Sequence, residues 1–324
     1  MYNLKDIKDI HLEITSKCQA SCPMCARNMQ GGPTSPFLEL NEISYGDFQR
    51  WFSPDFVKQL KKLYMCGNYG DPVIARDTLE IFAYLRFHNP TIDLSMNTNG
   101  SARDKVFWSR LADLDVAVRF GIDGLADTHS RYRIGTDFNK IIDNARAFIC
   151  AGGYAIWDML VFDHNKHQVD QCKELSIELG FQEFHHKNTS RFREESLPVI
   201  DKNGIQVDEL FPTEKSLQHK AKINTDSKTI SCKAVNEGSI YVGANGNITP
   251  CCWTDLEYMP THNSSRIDIK TRIGNAPNLH SNTMQEIFSL NFFNDIKDTW
   301  SCSPLKECAK NCGSFRKFEA QYES

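Results

Sequence analysis

Twelve cysteines in 324 residues divide into two groups and three singles. Cys18, Cys22 and Cys25 crowd one short run. Cys232, Cys251, Cys252, Cys302, Cys308 and Cys312 form a looser set, and Cys66, Cys150 and Cys172 stand alone. In a reducing compartment such grouping points to metal binding or catalysis more than to disulfides. Three thiolates on one tight loop can wrap a single 4Fe-4S cluster and leave one iron without a protein ligand, open to a small molecule. A structural zinc site is the rival reading, although zinc normally takes a fourth local Cys or His and a closed shell.

The elements that must position these thiols read as α/β. From the start to about residue 187, short β-rich runs alternate with amphipathic stretches, as in a parallel sheet wrapped by helices. The runs predict strands from Ile10 to Ile14, Leu63 to Cys66, Ile92 to Met96, Val116 to Gly121, Ala155 to Phe162 and Phe181 to His185. Helical spacing lies between them, in Leu79, Phe82, Ala83 and Leu85, in Ile141, Ile142, Ala145 and Phe148, and in Cys172, Leu175, Ile177 and Leu179. Six such units make three-quarters of a barrel. The cysteine triplet follows the first strand directly, which places it on the loops at the C-terminal face, where barrels do chemistry. Residues 188–230 are polar and read as a bridge, with a turn at Asp201 to Gly204. From Ser231 the character changes to Cys, Gly, Asn and Pro, which suits a small cluster-bound unit.

A chain of this length can bury a full core without disulfide staples. The net charge of −4, with both signs interleaved, supplies no basic stripe for a phosphate backbone, so nucleic acid is not an expected partner. The N-terminal run lacks the basic flank and long apolar stretch of a secretory signal, and nothing approaches the roughly 18 apolar residues of a membrane span. The expectation is a cytoplasmic protein with no membrane partner.

The run from Leu12 through Cys18, Cys22 and Cys25 to Arg27 resembles the radical S-adenosylmethionine (SAM) superfamily, whose signature is CxxxCxxC after the first strand. Met24 stands where that family usually has an aromatic residue. Later strand ends continue the resemblance in order. Cys66-Gly-Asn-Tyr69-Gly70-Asp71-Pro72 is similar to the family's glycine-rich GGE element, which implies that Gly70 and Tyr69 approach the methionyl group of SAM and that Asp71 accepts from its ammonium. Asn97-Thr-Asn99-Gly100 resembles the TNG at the third strand end, and Gly121-Ile-Asp123-Gly124 ends the fourth. His129-Ser-Arg131-Tyr-Arg133-Ile-Gly135 resembles an HxxxRxG loop in which an arginine, here Arg133 in preference to Arg131, pairs with the SAM carboxylate. Asn165, after the fifth strand, matches an asparagine near the adenosine, and an N-cap role is equally open to it. The resemblance covers residues 9 to about 187.

In the second group, Cys232 precedes a hairpin pattern whose Asn245-Gly246 turn delivers Cys251 and Cys252. With Cys302, Cys308 and Cys312 it resembles the SPASM or twitch extension of radical SAM enzymes. Thr299 occupies the first position of the final cysteine run, so the two-cluster form is incomplete. One auxiliary 4Fe-4S cluster is implied, held by Cys232 and Cys251 with the rest drawn from Cys302, Cys308 and Cys312, and with Cys252 as a spare. A tetrahedral zinc is the alternative for the same thiols.

The fold implied is a partial (β/α)6 TIM-like barrel with a small C-terminal cysteine-rich domain. The division is 1–187 core, 188–230 bridge and 231–324 auxiliary cluster domain. The chemistry implied is reductive cleavage of SAM to a 5′-deoxyadenosyl radical that takes hydrogen from substrate, fed by an electron donor such as flavodoxin or ferredoxin. The SPASM-like tail points first to a peptide or protein side chain as substrate, then to a small alcohol or amino sugar. A non-catalytic iron-sulfur electron carrier and an RNA-modifying enzyme are the readings from other classes. Cys150 and Cys172 read as core packing, and Cys66 as packing before function. His185 and His186 end the sixth strand and, like Tyr69, Arg191 and Arg193, are polar residues near the mouth that are given no role. No acid, base or hydrogen donor is named.

Overall fold

The computed structural model describes residues 3–189, 191–192, 194–216, 229–258 and 268–313. Six parallel strands stand side by side in sequence order: β1 (Asp9–Leu12), β2 (Lys62–Met65), β3 (Asp93–Thr98), β4 (Val116–Gly121), β5 (Ala155–Val161) and β6 (Glu183–Asn188). Each sequence-predicted strand is present within a few residues of its expected bounds. Helices Thr78–His88, Lys105–Asp113, Phe138–Cys150 and Val169–Leu179 cross over between successive strands. The α/β class and the partial-barrel order of strands are those expected from the sequence. The sheet is open.

Strand alternation divides the two faces of the sheet. Ile10, Leu12, Leu63, Met65, Leu94, Met96, Val118, Phe120 and Trp157 belong to one buried apolar core with the crossover helices, where Trp108 and Phe148 pack on Phe120. The intervening residues His11, Glu13, Tyr64, Asn97, Arg119, Asp158, His185 and Lys187 face the other way, so the concave side is polar. His185 is therefore the inward histidine of the pair, while His186 follows Phe184 on the opposite face, their rings 6.1 Å apart.

Two expectations about the helices are corrected. Cys172 is buried, but Cys150 is exposed, because it ends its helix off the stripe made by Ile141, Ala145 and Phe148. Ile177 is 68% exposed, since Cys172, Ser176 and Leu179 form the buried stripe of the helix that ends on left-handed Gly180.

Two features lie beyond the expected barrel. The polar bridge folds into an antiparallel hairpin, β7 (Leu197–Ile200) and β8 (Gln206–Leu210), around the Asp201 to Gly204 turn. The C-terminal segment adds β9 (Ser239–Val242) parallel to β1, and β10 (Ile248–Thr249) antiparallel to β9, to the edge of the main sheet. The second cysteine group is thus built on the same sheet as the first. Arg193 lies outside the described residues.

Candidate metal and cofactor site

The loop after β1 carries Cys18, Cys22 and Cys25, all partly buried. It is tied down from three sides. The Cys25 amide donates to the Cys22 carbonyl at 2.9 Å, the Ser21 amide to the Ile134 carbonyl at 2.8 Å, and the Asp71 amide to the Lys17 carbonyl at 3.0 Å. Arg27, only 9% exposed, donates through Nη1 to the Ala20 carbonyl at 3.4 Å.

Side-chain donors from later strand ends reach the sulfurs. Asn99 Nδ2 lies 3.6 Å from Cys18 Sγ, and Gln19 Nε2 donates to Asn99 Oδ1 at 2.7 Å. The Arg133 guanidinium charge lies near the Cys22 thiol. Burial pushes the Cys22 thiol up to about 11, and the neighbouring Arg133 charge pulls against that rise. Burial raises Cys18 and Cys25 as well. Without a metal these thiols stay protonated, and the positive charge of bound iron is what would ionise them. Three thiols on one loop, with the Asn99 amide beside Cys18, are of the residue type that a 4Fe-4S cluster takes.

The other candidates are present at the same end of the sheet, several with their hydrogen bonds already committed. Asp71 is buried and saturated: Oδ1 accepts from Thr98 Oγ1 at 2.8 Å and the Val73 amide at 3.1 Å, and Oδ2 from the Asn99 amide and Nδ2 at 2.7 and 2.6 Å. It braces the turn that aims Asn99 at Cys18. Arg133 Nε donates to buried Asp123 at 2.5 Å, and Asp123 Oδ1 accepts from the Leu160 amide at 2.6 Å. Asn165 accepts from the Phe162 amide at 2.8 Å and donates to the Leu160 and Asp123 carbonyls at 3.0 and 3.2 Å. It stitches the ends of β4 and β5, and its side chain makes no cap bond to the 3-10 turn that follows it. Asn97 lies half-buried on the concave side of β3, and Tyr69 is buried.

Gly70 is explained by a close approach. A Cβ there would lie 1.7 Å from the Thr15 carbonyl oxygen, so only glycine lets this loop press against the cysteine loop. Gly70→Ala is expected to cost roughly 3 kcal/mol of stability and to lower iron content. Urea midpoints measure it, and an unchanged midpoint would show that the two loops do not pack as described.

Several contacts around the site were not legible in the sequence. The β7–β8 hairpin lies over the cysteine loop: Tyr132, Phe162, Phe192, Val199 and Leu210 cluster against Cys22 and Met24. Arg131 anchors it with a two-pronged ion pair to Asp208 at 2.9 and 2.7 Å. On the concave side, Arg119 clamps Asp158 through two bonds of 2.7 Å and meets His185 Nδ1 at 2.8 Å, while His185 Nε2 lies 2.9 Å from Glu183. Glu13 accepts from the Tyr69 and Gly70 amides at 2.7 and 3.0 Å and from the Tyr241 hydroxyl. A carboxylate inside a buried strand, two residues from His11, was the available signal.

Burial raises Glu13 from 4.5 to about 7. Its unfolded form ionises above about 4.5 while the folded form resists until about 7, so its contribution to stability is complete below 4.5 and lost as pH rises to 7. The loss is about 3 kcal/mol. Burial also raises Asp255, to about 8, so its contribution fades in the same direction. His11, lowered to about 4 by burial, acts oppositely, its contribution being lost as pH falls from 6.5 through 4. Glu13→Gln should therefore flatten the decline between pH 5 and 7.5 in urea midpoints. A variant as pH-dependent as the wild type would contradict this.

In the C-terminal segment, Cys232, Cys251, Cys308 and Cys312 line one cavity with Pro250, Trp253 and Thr254. Cys308 and Cys312 are four apart on the helix Lys306–Cys312 and share a face. Burial pushes the Cys308 thiol up to about 12. Cys302 is exposed before that helix, with its sulfur 3.9 and 3.8 Å from the Asp298 and Thr299 carbonyls, outside the cavity. Cys252 is not among the residues lining that cavity, and its backbone carbonyl accepts from Asn68 Nδ2 at 3.1 Å. Four thiols lining one cavity are the residue type that a 4Fe-4S cluster or a tetrahedral zinc takes, although among the described residues no three metal-binding side chains already stand in ligating geometry.

No protein-family model matches the chain. Solved structures share its fold. SuiB from Streptococcus suis is 14% identical with a TM-score of 0.56, over 93% of this chain and 67% of SuiB. The same protein has been solved with S-adenosylmethionine and with its precursor peptide SuiA, each at TM-score 0.54. The enzyme anSMEcpe, solved with AdoMet and the Cp18Cys peptide, is 15% identical with a TM-score of 0.59, over 95% of this chain and 89% of that one. At such identities the likeness is one of fold. No helix among the described residues is long and apolar enough to cross a membrane.

Proposed function

We propose that this chain is a radical SAM enzyme whose Cys18, Cys22 and Cys25 hold a 4Fe-4S cluster. The observation that carries the reading is the approach of Asn99, from a later strand end, to Cys18 Sγ on the CxxxCxxC loop, with the Arg133 charge beside Cys22. When bound, the cluster with SAM supplies one-electron cleavage to a 5′-deoxyadenosyl radical that takes hydrogen from substrate. The protein's own part is placement. Asn99 and Arg133 stabilise thiolate charge. Gly70 and Tyr69 bring backbone to the cofactor side, and Asp71, Asp123 and Asn165 hold the strand-end turns that shape the pocket. Asn97 faces the chamber. The hairpin with Phe162, Phe192 and Val199 keeps water from the loop, which matters for a radical that reacts with any hydrogen donor.

Division at 1–187, 188–230 and 231–324 assigns the core to the first part and an auxiliary 4Fe-4S cluster to the last. Cys232, Cys251, Cys308 and Cys312 are the ligands that their common cavity favours over Cys302. Such a cluster makes the net reaction an oxidation, with flavodoxin or ferredoxin as electron donor in the cytoplasm. A peptide or protein side chain is the preferred substrate, because SuiB and anSMEcpe were both solved with peptides bound. A small alcohol or amino sugar is the alternative. The test is electron paramagnetic resonance of the reduced protein with and without SAM. A shifted cluster signal on adding SAM is expected from an iron open to that ligand, and an unshifted spectrum would refute it.

A further inference from the structure

The hairpin over the cysteine loop is held down at two polar points, and His164 lies beside both. Arg131, on the short helix His129–Tyr132, grips Asp208 of β8 through Nε and Nη2 at 2.9 and 2.7 Å. The Asp163 amide, in the loop after β5, donates to the Phe211 carbonyl just beyond β8 at 3.1 Å. The neighbouring His164 ring stacks on Phe162, with centroids 5.4 Å apart and planes 17° from parallel. Phe162 belongs to the apolar cluster that seats the hairpin on Cys22 and Met24.

Both ring nitrogens of His164 are buried, and neither has a hydrogen-bond partner among the described residues. The titratable groups that face the ring are Arg131 from the short helix, Asp208 from β8, Asp163 in its own loop and His167 in the 3-10 turn that follows. Asp208 is already committed. Its Oδ2 and Oδ1 accept from Arg131, and Oδ1 also accepts from the Glu209 amide at 2.7 Å. Asp163 is half-exposed and pairs with Lys166 Nζ at 2.6 Å. A neutral imidazole sits in this setting without a charge to satisfy. An imidazolium carries two N–H donors that need acceptors, and it meets the like charge of Arg131. To pair with Asp208 it must take that carboxylate from Arg131, which undoes the clasp.

We propose that His164 is a proton-operated release for the β7–β8 hairpin. While the ring is neutral, the Arg131–Asp208 clasp stays shut and the hairpin covers Cys22 and Met24. When the ring takes one proton from solvent, it draws Asp208 off Arg131 or swings outward, and the hairpin lifts. The only covalent change is one new N–H bond. This release acts on the cover of the cysteine loop, whatever the loop holds.

Burial, and after it the Arg131 charge, lowers the ring from 6.5 to about 4 while the hairpin is shut. Its contribution to the closed state is therefore complete above pH 6.5 and is lost as pH falls through 4. At pH 5 the full difference would favour release about thirty-fold, and the partial exposure of the ring trims that to on the order of ten-fold. The main sheet responds the other way, because buried Glu13 and Asp255 contribute more as pH falls from 7. It therefore supplies an internal reference.

The experiment is hydrogen exchange of the reconstituted full chain, read by mass spectrometry at pH 7.5 and pH 5 and corrected for intrinsic rates. Protection of the peptide spanning Leu197 to Leu210 is compared with that of Asp93 to Thr98 on β3. In wild type the hairpin's protection relative to β3 is expected to fall on the order of ten-fold at pH 5. His164→Phe, which keeps a ring on Phe162, and His164→Gln, which stays polar, cannot titrate and are expected to hold the ratio constant. Asp208→Asn weakens the clasp and is expected to expose the hairpin already at pH 7.5. A wild-type ratio that does not change with pH would overturn the proposal. So would a His164 variant that loses protection at pH 5 as wild type does, an Asp208→Asn hairpin as protected as wild type, or an equal fall in β3, which would mark general loosening.

Discussion

Replacing Cys18, Cys22 and Cys25 together by alanine is expected to remove about four of roughly eight irons per chain and to abolish formation of 5′-deoxyadenosine from SAM. The three thiols share one loop, and the side chains beside them, Asn99 at 3.6 Å from Cys18 Sγ and the charged Arg133 near Cys22, come from later strand ends. Removing the sulfurs leaves those side chains without purpose but leaves the sheet intact, since the core lies on its other face with Phe120, Trp108 and Phe148. The irons that remain should belong to the C-terminal cysteines. Iron and sulfide counts with cleavage assays check this, and a triple variant that still holds eight irons or still cleaves SAM would contradict it.

The second large effect distinguishes among the C-terminal cysteines. Cys308→Ser or Cys312→Ser is expected to lose about four irons while the N-terminal cluster signal persists, whereas Cys302→Ser and Cys252→Ser keep the full count. The reason is placement. The helix Lys306–Cys312 turns Cys308 and Cys312 into the cavity shared with Cys232 and Cys251, and leaves Cys302 outside on the surface. Zinc in place of iron in freshly reconstituted protein would keep the ligand set and remove the cluster. Iron lost from Cys302→Ser would overturn the ligand set itself.

The order of strands β1 to β6 was legible because it rests on local signals. Alternation of apolar runs, a turn after each strand and crossover helices of ordinary length all lie within short windows. What joins distant segments was not. Nothing in Ser239 to Val242 says that it pairs with Asp9 to Leu12, which it does residue for residue. Pro198 demotes a four-residue strand, so the hairpin over Cys22 and Met24 read as a polar bridge. Motif residues were found by type, but their partners were not. Asp71 and Arg133 are each bound to a neighbour, Asn99 and Asp123, that spacing alone does not reveal. The four-residue interval between Cys308 and Cys312 was the overlooked cue, because on a helix it selects one face. Glu13 and Asn68, which tie the loop after β2 to β9, belong to no motif.

The central claim is that the loop after β1 carries a cluster that cleaves SAM. Its most direct test is to purify and reconstitute the protein without oxygen, reduce it in the presence of SAM, and measure 5′-deoxyadenosine. The account predicts 5′-deoxyadenosine from wild type at an iron content of about eight per chain, and none from the Cys18, Cys22 and Cys25 variant. Fully iron-loaded wild type that forms no 5′-deoxyadenosine would contradict it.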